Sequence, residues 1–218
     1  MLLMGLLIVI LVFLFLGITE SAFAAIGFSR AQFAVLLVVT LIGSFINIPV
    51  TRISGTEPIV GYREVSYFGF TYRIPATAKA RVSTEVGINV GGAVVPIIVS
   101  AYLLFTHVSL ALDILVGVLV TSVLVHLMAR KVKGEGIQTP ALLPPVVAAI
   151  ISILLHPSSG VAVVAYISGS MGALIGADLT NLRGITDLGA PFVSIGGAGT
   201  FDGVFLTGII AVILVSIF

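Results

Sequence analysis

Seven stretches of this chain are almost continuously apolar, and that continuity constrains the fold more than any other feature. They run roughly from Leu2 to Ile18, Ala31 to Ile48, Val86 to Phe105, Leu110 to Met128, Leu142 to Leu155, Val161 to Ala177 and Thr200 to Phe218. A spanning helix needs about 20 mostly apolar residues. Strands of a transmembrane barrel would alternate apolar and polar residues instead. In lipid, unbroken runs of this kind satisfy their backbone only as helices. Of the 218 residues, 59% are hydrophobic and 9% are charged, whereas soluble domains carry about 25% charged residues. Such a composition cannot cover a water-facing surface. It excludes a soluble globular enzyme, a disordered chain and a nucleic-acid binder, and it places the chain in a lipid bilayer.

The expectation is an all-α membrane protein with about seven transmembrane helices, forming one integral-membrane domain over residues 1–218. The fifth run is short and opens on prolines, so it reads as a tilted or partial span. Small residues at Ser21-Ala22-Phe23-Ala24 would suit signal-peptide cleavage, but no Lys or Arg precedes the first apolar run. It therefore reads as a retained helix. With seven spans, Arg52, Arg63, Arg73, Lys79, Arg81, Arg130, Lys131, Lys133 and Arg183 fall on one side and only Arg30 on the other. Basic loops stay in the cytoplasm, which predicts an N-in, C-out protein of the cell membrane. The one long loop, residues 51–85, would be cytoplasmic and partly structured. Its aromatic, partly alternating stretch from Glu64 to Arg73 predicts a short β-hairpin between helices 2 and 3. The hairpin would act as a connector against the headgroups or as a lid over a site.

The chain has no cysteine, which excludes disulfides, thiol catalysis and thiolate metal sites. Its histidines, His107, His126 and His156, are too far apart for a local metal motif. No metal and no cofactor are expected.

An acid inside a spanning helix is costly and is a functional candidate by default. Asp113, about one turn from the outer end of its span, reads as a snorkelling structural residue. Asp178 lies about 26 Å into span six and Asp202 about 24 Å back from the end of span seven, at 1.5 Å per residue. Both depths reach the inner boundary of a core about 30 Å thick. Helices joined in sequence are usually neighbours, so the two acids are predicted to meet. Around them lie the glycine-rich Ile195-Gly196-Gly197-Ala198-Gly199 and, at the same level, Glu85, Asn89 and Asn181. These residues, Gly197 and Gly199 among them, are the candidate substrate-binding set. Two carboxyls about 3 Å apart share a proton, and such a pair can activate water for attack on a carbonyl. The first functional expectation is thus an aspartyl-type intramembrane hydrolase with Asp178 and Asp202 as its catalytic pair. Its substrate would be a single-span membrane peptide.

Three short motifs sharpen that expectation. Phe201-Asp202, Gly176-Ala177-Asp178 and Pro140-Ala141-Leu142 resemble the Tyr/Phe-Asp, Gly-x-Gly-Asp and Pro-Ala-Leu elements of the presenilin and signal-peptide-peptidase membrane aspartyl proteases. Here their order is rearranged and one glycine is missing. The resemblance implies catalytic roles for the two acids and a substrate-binding role for Pro140, Ala141 and Leu142. The stretches Tyr67 to Pro96 and Ser194 to Gly208 resemble a family of uncharacterised prokaryotic multi-pass membrane proteins, which implies a class and a location but no chemistry.

Two further classes compete. Gly87-Ile88-Asn89-Val90-Gly91-Gly92-Ala93 is similar to Val193-Ser194-Ile195-Gly196-Gly197-Ala198-Gly199, and paired glycine-interrupted helices point to a transport site. A small proton- or cation-coupled transporter would use the same acids as its ion site. The small size of the chain would also suit an accessory membrane subunit, and an oligomer is compatible with either.

Overall fold

A computed structural model of the chain describes residues 2–68, 70–132, 136–156, 158–184, 191–197 and 203–217. Helix α1 covers Leu2–Ala25, and α2 covers Arg30–Gly43. A reciprocal capping box starts α2. Ser29 Oγ accepts from the Gln32 N–H at 3.3 Å, and Gln32 Oε1 accepts from the Ser29 N–H at 2.8 Å, so two orphan donors of the first turn are satisfied. The chain then leaves the helices as a long antiparallel ribbon, β1 (Asn47–Tyr67) with β2 (Phe70–Asn89). A π-helical turn at Val90–Val94 leads into α3 (Val95–Thr106), and α4 follows at Ala111–Met128. A small hairpin, β3 (Arg130–Val132) with β4 (Gly136–Gln138), precedes α5 (Leu143–Leu155). Helix α6 (Val161–Ala173) continues through a π-helical turn at Leu174–Asp178 and a 3₁₀ turn at Leu179–Gly184. Strand β5 (Phe192–Ile195) adds to β2 in parallel, and α7 is Gly203–Val215.

This corrects the all-α, seven-span expectation. Among the described residues there are two sheets, of order β1-β2-β5 and β3-β4. Three helices are long and apolar enough to cross a membrane: Leu3–Ala25, Val108–Met128 and Val161–Leu182. The other apolar helices, Arg30–Gly43, Val90–Thr106, Leu143–Leu155 and Gly203–Val215, are shorter. Hydropathy measures apolarity, not backbone pairing. The run from Val86 begins as strand β2, held by β1 on one side and β5 on the other, so its helix starts late. The Leu142 run starts its helix at Pro144-Pro145, where proline fits the first turn of a helix but not its interior. The N-in, C-out orientation rested on seven alternating spans and loses that basis.

The predicted short hairpin is also corrected. Its turn lies at Phe68, inside the alternating stretch, but the pairing extends through the whole of the 21-residue β1 and the 20-residue β2. Both long strands have an open edge along most of their length, which tolerates prolines that would break a central strand. Pro49, Pro58 and Pro75 occupy such positions.

The bundle is centred on α6. Its residues from Ala162 to Ser170 are all buried, against α3, α4, α5 and α7. Phe23 of α1, Tyr166 of α6 and Phe205 of α7 meet at centroid separations of 6.1 and 6.2 Å about Phe23. Without water to drive association, helices in lipid rely on close van der Waals packing of small residues. Gly169 serves that end: a Cβ there would lie 3.0 Å from Thr207 O. By contrast, 6% of the apolar window of α1 is buried, against 72% for α6. The N-terminal half of α1 therefore presents its side chains outward on all faces, as a lipid-facing helix does. Three helices of spanning length and apolarity make this a membrane protein.

Candidate functional site

The two π-helical turns are the key to the ribbon end of the bundle. One opens the helix that continues as α3 and the other extends α6 toward its end, and such turns often mark functional positions. The first follows Asn89, whose side chain is fully buried. Asn89 Oδ1 accepts from the Gly92 N–H at 2.7 Å. Asn89 Nδ2 donates to Ser44 O at 2.8 Å and to Asn47 Oδ1 at 3.2 Å. Ser194 Oγ, on β5, donates to the same Asn47 oxygen at 2.6 Å. One amide thereby joins the end of α2, the start of β1 and the start of the π turn.

The second π turn ends at Asp178, which is half-buried. Its Oδ2 accepts from the Gly196 N–H at 2.7 Å. Gly196 has φ +82°, and Gly197 has φ +81°, a left-handed conformation that glycine adopts at no steric cost. A Cβ on Gly196 would lie 2.6 Å from both N and Cβ of Ala93. Gly196 thus sits between the two π turns, bonded to one and seated on the other. Val86, Ala93, Ala173, Leu174, Ile195 and Val204 form a small apolar cluster around this junction.

The carbonyls loosened by the second turn are recaptured locally. Asn181 Nδ2 donates to Ala177 O at 2.9 Å and to Gly176 O at 3.2 Å, and Thr180 Oγ1 donates to Gly176 O at 2.7 Å. His126 Nδ1, from α4, lies 2.7 Å from Thr180 Oγ1.

The structure therefore gathers Asp178 and Gly197 at one junction with Asn89 close by, and gives Asn181 a helix-terminating role. Glu85 lies on β2 beside β5. Its carboxylate is partly exposed and 3.7 Å from Arg52 on β1, so it reads as a cross-strand ion pair at the edge of the junction. Pro140, Ala141 and Leu142 form the exposed approach to α5. Asp202 and Gly199 lie outside the described residues, and with them the second half of the carboxylate pair. Among the described residues, no group of three or more His, Asp or Glu side chains could hold a metal ion.

Sequence reasoning missed the opposite end of the bundle. Asp113, in the first turn of α4, lies 3.0 Å from His156 Nδ1 at the end of α5. It is not a lone snorkelling acid. The partner is 43 residues away, and only the α4–α5 packing reveals it.

The profile of one protein family matches residues 41–214 and is described as Protein of unknown function (DUF1614). The chain belongs to this family. No curated protein and no solved structure matches it. The family span takes in the ribbon, both π turns and β5, and it contains both stretches that resembled an uncharacterised membrane family. The presenilin-type resemblance is not shown by the match. Membership in DUF1614 assigns no activity, so the chemistry has to be argued from the site.

Proposed function

We propose that this DUF1614 member is a small, ion-coupled transporter of the cell membrane, multi-pass, with its binding site at the junction of the two π turns. The observation that carries this reading is the double role of Gly196: its N–H is held by Asp178, and its α-carbon rests on Ala93. Transport sites are commonly built where irregular helix ends meet, because non-α backbone there can turn its groups toward a ligand, and here the π-helical start of one helix meets the π-helical extension of another. A carboxylate at such a junction is a ready cation or proton site. Buried Asn89 holds the frame in place.

The test is cation-dependent melting of the purified protein in detergent. A ligand that binds only the folded state stabilises it by RT ln(1 + [L]/Kd), about 2.7 kcal/mol at 100 times Kd. Sodium, potassium and lithium are compared at constant ionic strength across a pH series. The proposal expects one cation, or the proton, to raise the melting temperature, and the rise to be lost in Asp178→Asn. Identical melting in every cation and at every pH contradicts it. A single-span reporter peptide is incubated in parallel. Its cleavage, lost in both Asp178→Asn and Asp202→Asn, would replace the transporter with the aspartyl hydrolase.

A further inference from the structure

At the end of the bundle away from the ribbon, three side chains from three elements form one hydrogen-bonded series. Asp113 opens α4, His156 closes α5, and Ser158 lies between α5 and α6. Asp113 Oδ2 is 3.0 Å from His156 Nδ1, and Ser158 Oγ is 2.6 Å from His156 Nε2. An ionised carboxylate only accepts hydrogen bonds, so it fixes the imidazole tautomer with the proton on Nδ1. Nε2 is then the acceptor, and the Ser158 hydroxyl donates to it. This is the relation of acid, base and nucleophile in serine hydrolases, which is recognised by geometry and roles and not by chain order or fold.

The site is open. The His156 and Asp113 side chains are 26% and 29% exposed, and Ser158 is exposed. Gly160 caps helix α6, which starts at Val161, three residues after Ser158. The first N–H groups of a helix lack carbonyl partners within it and form the positive end of its dipole. Here the Val161 N–H is taken by Ser158 O at 2.9 Å and the Val163 N–H by Gly160 O at 3.1 Å, so the helix start lends the serine the positive end of its dipole and not a set of free donors. Phe105, Val108, Leu112 and Leu154, on the flanking turns, are exposed apolar side chains.

We infer that Ser158, His156 and Asp113 form a second, hydrolytic site that cleaves carboxylic esters carried by lipids. Ser158 Oγ attacks the ester carbonyl carbon while His156 Nε2 takes the hydroxyl proton. The carbonyl π pair moves to oxygen. Collapse of that intermediate breaks the bond to the alkoxy oxygen, which leaves with the proton from His156. Water then adds to the acyl-serine, giving its proton to His156, and the carboxylic acid departs as Ser158 recovers that proton. Ser158 and His156 are the catalytic residues, and Asp113 is a positioning residue acting through His156. The apolar flanks favour an acyl chain presented from the bilayer over a water-soluble ester. The inference does not use the ribbon-end junction and stands or falls apart from the transport reading.

The test treats the full-length protein in detergent with a fluorophosphonate, whose phosphorus bonds to an activated serine as fluoride leaves. The modified residue is mapped by mass spectrometry. Hydrolysis of p-nitrophenyl palmitate in mixed micelles and of p-nitrophenyl acetate in buffer is measured alongside. Labelling is expected at Ser158, with the palmitate cleaved faster. Ser158→Ala and His156→Gln should each lower hydrolysis about 10³-fold or more. Asp113→Asn should lower kcat with KM and melting temperature unchanged, a split that a purely structural acid would not give. Ser109→Ala, at the same end, should behave as the unaltered chain. No label at Ser158, or a full rate in Ser158→Ala, overturns the hydrolytic site. Faster cleavage of the acetate overturns the lipid-borne substrate.

Discussion

Gly196 is the residue at which the ribbon-end account is most exposed to a single substitution. In Gly196→Ala the left-handed backbone costs roughly 1–2 kcal/mol. The new methyl group would meet Ala93 at 2.6 Å, and overpacking of that kind costs about 1–3 kcal/mol more. Thermal melting in detergent should show a destabilisation of about 2–5 kcal/mol in total. Gly203→Ala is the control, because among the described residues nothing lies within 4 Å of a Cβ there, and it should melt like the unaltered protein. Asn89→Ala removes partners from the Gly92 N–H and Ser44 O in a fully buried place. Unsatisfied buried groups cost about 1–3 kcal/mol each. The same assay should show a loss comparable to that of Gly196→Ala, although the smaller side chain introduces no clash. At this scale the sequence was partly legible. Asp178, Asn89 and the glycine-rich segment stood out because polar or flexible residues are conspicuous in an apolar chain. The Asp113–His156–Ser158 series did not, because its acid and its base come from different helices and only tertiary packing joins them.

Among the elements, the ribbon shows what hydropathy cannot see. Its strands are mixed in polarity, with Thr, Ser, Arg and Glu between Ile, Val and Tyr. They therefore read as a polar loop, and only the central aromatic alternation looked like strand. The first residues of the Val86 run belonged to β2 for the same reason, since a strand and a buried helix segment share an apolar signature over four residues. Beyond the bulge at Pro49/Thr51, the two strands pair with each other almost to the turn, and β5 joins only at Glu85–Ile88. The outer ribbon accordingly adds little to the bundle. Deleting Tyr62–Pro75 and joining Gly61 to Ala76 through an Asn-Gly turn should leave the melting temperature of the bundle nearly unchanged. Asn-Gly suits the join because that pair best matches the twist of a two-residue hairpin. Circular dichroism on the purified variant would show the helical signal melting as before. A large loss of stability would mean that the aromatic tip, with Phe68 94% exposed, is supported by contacts outside the ribbon.

For the whole molecule, composition alone established membrane residence, because an apolar surface needs lipid around it. It could not count the spans. Length, not apolarity, separates the three membrane-long helices from the shorter ones, and length depends on where strands and π turns cut into the apolar runs. The folded chain has two chemically distinct ends. One holds Asp178, Gly196 and Asn89 at two π turns, and the other holds Asp113, His156 and Ser158. The long helices α4 and α6 connect them, and their contacts run from Gly117 against Ser168 to Gly176 against Ser122. The central claim is that the ribbon-end junction moves a solute with a cation. Charge movement in proteoliposomes on a solid-supported membrane measures it most directly, with a panel of amino acids, sugars and carboxylic acids applied in sodium and in sodium-free buffers of varied pH. The account predicts a solute-triggered current that depends on one cation and disappears in Asp178→Asn. No current with any solute in any cation, or a current that persists unchanged in Asp178→Asn, would contradict it.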